Sequence, residues 1–143
     1  MHAARRLAAA AVASGVLASA TASPAVDYTL YCQGCHGAEA RGVPGKVPPL
    51  AATLALFMRT PQGRDYLLRV PGAANSALTD EQLAAVLNWL AERYPAAEAA
   101  APAPFTTAEV ARVRRTPLTD VLGTRREVVR DLAARGAAPA AGY

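Results

Sequence analysis

From Leu78 to Pro95 the chain reads LTDEQLAAVLNWLAERYP, and Leu83, Val86, Leu87 and Leu90 fall at i, i+3, i+4 and i+7. That spacing puts four apolar side chains on one face of a helix. Thr79 or Asp80 suits the N-cap, Gln82 three residues after Thr79 completes a capping box, and Pro95 stops the helix. Trp89 flanks the stripe. Residues 54–58 and 64–70 show shorter apolar–polar alternations at helical spacing, separated by Pro61 and Gly63. Ser23 to Tyr31 predicts a short helix or turn with Tyr28, Leu30 and Tyr31 on its apolar side. Gly37 to Leu50 is rich in Gly and Pro and predicts irregular chain. Near the C-terminus, Thr106 with Glu109 suggests a second capping box and Pro117 a break. Leu118, Leu122, Val129 and Leu132 then form another stripe. No run of alternating β-branched residues offers a sheet, so the expected class is all-α.

The first 22 of the 143 residues follow a different pattern. Arg5 and Arg6 precede an apolar run from Leu7 to Ala18, and small residues follow, with Ala20-Thr21-Ala22 or Ala18-Ser19-Ala20 fitting a cleavage site. The run is shorter than the roughly 20 apolar residues that span a bilayer. It therefore reads as an export signal, and no other segment is long and apolar enough to cross a membrane. The expected division is a signal over 1–22, a helical domain over 23–95, an Ala/Pro linker over 96–104 and an Arg-rich helical tail over 105–143.

Charge narrows the partners. The whole chain carries +4, and removing Arg5 and Arg6 with the signal leaves +2. That balance lacks the strongly basic face that nucleic acid requires. Residues 23–95 hold six basic against six acidic side chains, whereas the tail holds seven arginines against four acids. The tail is thus the positive end, suited to an acidic partner or an anionic membrane surface, and too small to bury a core by itself, so it should either pack on the 23–95 domain or order on a partner.

Both cysteines and the one histidine left after processing lie in Cys32-Gln33-Gly34-Cys35-His36. C-x-x-C-H is the spacing for covalent attachment of haem c. Two thiols three residues apart share one side of a helical turn and reach the two vinyl groups of one porphyrin. The adjoining imidazole of His36 then meets the iron as its proximal axial ligand. The rival chemistries fit less well. A thioredoxin-like dithiol needs a βαβ setting, a structural zinc needs four ligands, and a plain disulfide leaves His36 unexplained.

With those residues in place, the segment from about Tyr28 to Tyr94 resembles a compact class I c-type cytochrome. The C-x-x-C-H lies near the mature N-terminus, a Gly/Pro loop follows, and LTDEQLAAVLNWL forms a terminal helix. The resemblance implies a small helical domain around one haem, with the C-terminal helices as an appendage. It also implies a proline carbonyl, from Pro48 or Pro49, accepting the imidazole Nδ1–H and so fixing the tautomer of His36. Such cytochromes usually supply a distal methionine shortly before the terminal helix, but RVPGAANSALTDEQ contains none. Met58 is one candidate distal ligand, Asn75 in the expected loop is another, and an open iron is the third. The implied function is a periplasmic one-electron carrier, not an enzyme, working between a redox donor such as a dehydrogenase and an acceptor. The alternatives are a gas-binding or catalytic haem protein with an open distal site, or a cytochrome subunit of a dehydrogenase complex.

Overall fold

The computed structural model describes residues 22–97, 100–137 and 139. The export signal, apart from Ala22, lies outside the described residues. Among those residues the regular elements are eight helices: α1 (Pro24–Tyr31), α2 (Gln33–His36), α3 (Thr53–Phe57), α4 (Pro61–Arg69), α5 (Pro71–Ala74), α6 (Asp80–Arg93), α7 (Thr107–Val113) and α8 (Val121–Ala134). An isolated bridge between Val43 and Val47 closes a turn in the Gly/Pro loop. The fold is all-α, as the periodicity predicts.

Helix α6 is the spine. Its stripe of Leu83, Val86, Leu87 and Leu90 is buried. Thr79 Oγ1 accepts the Gln82 N–H at 3.1 Å and Gln82 Oε1 accepts the Thr79 N–H at 3.0 Å, which is the reciprocal cap the sequence suggests. Helix α1 starts with Pro24 after the Ser23 cap and packs across α6. There the Tyr28 ring meets Trp89 with centroids 5.7 Å apart. Only part of the predicted apolar side of α1 is covered: Tyr28 is buried, but Leu30 is 67% and Tyr31 47% exposed. An eight-residue helix presents one narrow face to α6, and Asp27 and Tyr28 fill it. Helix α3 packs beside α6 and α4 packs on α3, with Phe57 edge-on to Tyr66 at 5.5 Å.

The segment expected as a linker and appendage is built into this core. Phe105, Val110, Val128 and Leu132 belong to the same buried cluster as Leu54, Leu68 and Leu90. So few apolar groups cannot shield one another from water, and they bury against α3, α4 and α6 instead. Asn88 holds the entry point, donating from Nδ2 to Phe105 O at 2.9 Å and accepting the Phe105 N–H on Oδ1 at 2.7 Å. Arg64 lies 4.1 Å over the Phe105 ring, donates to Ala103 O at 2.7 Å and pairs with Glu109 through Nε at 2.8 Å. Glu109 therefore forms only half of the expected capping box: its N–H reaches Thr106 Oγ1, and its carboxylate goes to Arg64. The stripe on α8 is also shifted. Asp120 caps the helix so that Val121, Arg125, Val128 and Leu132 face inward, and Leu122 is left 56% exposed.

Candidate haem site

The site is one turn of chain between α1 and the Gly/Pro loop. Cys32 ends α1, its N–H bonded to Tyr28 O at 2.9 Å. Its own carbonyl accepts the N–H groups of Cys35 at 3.2 Å and His36 at 3.0 Å. Both thiols are free, Cys32 half-buried and Cys35 exposed. The turn therefore presents two sulfurs and the imidazole at helical spacing, as the motif requires.

The Gly/Pro loop aims the imidazole. Gly37, at φ 77°, ends α2, and the Tyr28 hydroxyl donates to Gly37 O at 2.6 Å. The chain folds back so that the Gly42 N–H reaches His36 O at 2.8 Å. Gly42 has φ 66°, and a Cβ there would collide with the carbonyl oxygens of Val47 and Pro48. Only glycine combines that dihedral with so close an approach. The result is His36 Nδ1 at 3.0 Å from Pro48 O. A carbonyl can only accept, so Nδ1 carries the proton and Nε2 keeps its lone pair. Pro48 and not Pro49 is thus the partner of the imidazole. Pro49 instead lines a cleft of about 300 Å³ with Arg41, Leu56 and Tyr94.

The electrostatics suit a neutral site. Burial pushes the His36 pKa below the usual imidazole value, against the opposing hydrogen bond to Pro48. Burial first, then the charges of Asp27 and Cys35, hold the Cys32 thiol above its ordinary value. The Tyr28 hydroxyl is pushed up to about 12, mainly by burial. At neutral pH the site thus holds a protonated thiol at Cys32, an uncharged imidazole and a phenol acting as donor. Among the described residues no cluster of three or more His, Cys, Asp or Glu could hold a metal ion. The donor set fits a metal that arrives inside a porphyrin: thiols to add across its vinyl groups and one imidazole lone pair for its iron.

Of the two distal candidates, one is buried and one exposed. Met58 is 2% exposed, follows α3 at its C-cap and belongs to the apolar cluster. Asn75 is exposed at the end of α5, with its N–H on Pro71 O at 3.0 Å.

No known protein-family profile matches the chain. Two curated proteins do. A cytochrome c-552 of Thermus thermophilus is 35% identical over 135 residues, covering 80% of this chain and 90% of the relative. A second Thermus thermophilus cytochrome c-552 is 34% identical over 118 residues, covering 68% of this chain and 90% of the relative. The chain is a c-type cytochrome. It carries covalently bound haem c and belongs to the electron-transfer proteins. Among the described residues of this cytochrome no helix is long and apolar enough to cross a membrane.

Several residues that hold the helices around the site are silent in the sequence. Asp27 and Gln82 meet across the α1–α6 crossing, 55 positions apart. Arg114, part of an arginine run legible only as charge, gathers the chain before α6. It donates to Ala74 O at 3.2 Å, Ser76 O at 2.8 Å and Leu78 O at 2.8 Å, and pairs with Asp80 at 3.2 Å. A capping box marks Gln82, but nothing local marks Asp27 or Arg114.

Proposed function

We propose that this cytochrome is exported to the periplasm and carries one electron at a time between larger redox proteins, with Cys32 and Cys35 as the thioether anchors and His36 as proximal ligand. The observation that carries the reading is the His36–Pro48 contact at 3.0 Å beside two free thiols on the same turn. Bound haem supplies a one-electron iron couple. The protein's part is to hold the group and orient it. Pro48 keeps the proton on Nδ1, which strengthens Nε2 as a donor. Gly42 keeps Pro48 in place. Tyr28 ties α1 to the end of the attachment turn through Gly37. Val26 and Leu30, 48% and 67% exposed on the helix that leads into Cys32, offer an apolar surface next to the attachment turn for a donor such as a dehydrogenase or for an acceptor.

The second reading, a haem that binds small gases or catalyses, gains support from the distal candidates. Asn75 is exposed, and the stretch from Arg69 to Gln82 that contains it has no methionine, which favours an accessible iron. Visible spectra of ferric and ferrous protein, with and without carbon monoxide, test the choice. A low-spin spectrum with a sulfur charge-transfer band, indifferent to the gas, supports a six-coordinate carrier with Met58 on the iron. A high-spin spectrum that shifts with the gas moves ligand binding ahead of electron transfer.

A further inference from the structure

We propose that Asp27 is a buried charge that sets the reduction potential of the haem. The inference rests on the reading of Cys32 as an attachment point. Asp27 is 2% exposed, in the first turn of α1. Its position is five residues before Cys32, about 7.5 Å along a helix axis. Its carboxylate takes the Gln82 amide at 3.3 Å on Oδ2 and 3.5 Å on Oδ1. The orientation of that amide is settled by the rest of its network. Gln82 Oε1 accepts the Thr79 N–H, so the NH₂ end must face Asp27.

A carboxylate is a costly choice for merely pinning α1 to α6, because the penalty for burying a charge far outweighs that for burying an amide. An asparagine would accept the same hydrogen bond from Gln82. The carboxylate adds a negative potential at the root of the attachment turn, and the Cys32 thiol already feels it. Ferric haem carries one more positive charge than ferrous haem, so Asp27 favours the ferric form and lowers the potential. Unit charges about 10 Å apart at an effective dielectric near 20 change such an equilibrium by about tenfold.

The test uses full-length, haem-loaded protein: the parent, two neutral variants, Asp27→Asn and Asp27→Ser, and the charge-retaining Asp27→Glu. Covalent haem is checked first by mass and by the pyridine haemochrome, and the midpoint is then read by spectropotentiometry at pH 7. We expect each neutral variant that loads haem to shift toward the ferrous form by about tenfold, or 59 mV for one electron. Asp27→Glu should stay within about twofold of the parent. Haem-loaded neutral variants that titrate within twofold of the parent would overturn the inference alone. So would Asp27→Glu shifting as far as Asp27→Asn, since shape and not charge would then be responsible. A parent that carries no covalent haem would overturn the reading of the site itself, and this inference with it.

Discussion

Arg114 and Arg115 are neighbours on the chain, and both reach the carboxylate of Asp80. Arg114 lies 3.2 Å away with its side chain 11% exposed, and Arg115 lies 3.6 Å away with its side chain 72% exposed. Their contributions should differ by several-fold. Arg114→Ala removes hydrogen bonds to the carbonyls of Ala74, Ser76 and Leu78 as well as the ion pair. Each hydrogen bond to a charged group contributes about 1.5–3 kcal/mol, and the set is not additive. Removing one partner of a buried pair costs about 3–5 kcal/mol, which bounds the expected loss. Arg115→Ala should cost no more than about 1 kcal/mol, as exposed pairs do. Guanidinium unfolding of the haem-loaded protein, followed by far-UV circular dichroism, reads both. Arg114→Lys should recover only part of the loss, because an ammonium cannot reproduce the fork that spans three carbonyls. Equal losses for the two alanine variants would refute the reasoning, since burial and hydrogen bonding would then not decide what these arginines contribute.

The remaining predictions concern the site and its supports. Cys35→Ser should leave haem attached by one thioether, and removing both cysteines should abolish covalent haem, read by mass after acid–acetone extraction. Gly42→Ala forces a side chain into φ 66° against two carbonyl oxygens. It should cost more than about 1 kcal/mol and raise the pH at which His36 leaves the iron on acidification, followed in the Soret band. Met58→Leu, a volume-conserving change in the core, should cost less than about 1.5 kcal/mol. If it also leaves the ferrous spectrum unchanged, Met58 is not on the iron. Glu109 has its carboxyl held below the usual range, chiefly by the hydrogen bond from Arg64. A depressed folded-state value means stability that is present above the unfolded value of about 4.3 and lost as pH falls through the folded one. Glu109→Gln should therefore lower stability at pH 7 and flatten the acid limb of a stability–pH profile.

Much of this protein is written in short stretches of its sequence. The C-x-x-C-H motif brings Cys32, Cys35 and His36 onto one turn whatever surrounds it, because the spacing is set by a single helical turn. The stripe and cap of α6 are equally local, since Thr79 and Gln82 satisfy each other within four residues. The tertiary structure alone decides which proline meets His36, because that choice turns on how Gly42 folds the loop back onto Val47 and Pro48. It also decides that Arg114, within the C-terminal arginines, is structural. Arg114 finds its carbonyl partners 36 to 40 positions earlier in the chain, and no periodicity records contacts at that range. Burial of Leu30, Tyr31 and Leu122 fails for a related reason. A pattern tells which side chains share a face, but only the neighbouring helices determine how much of that face is covered.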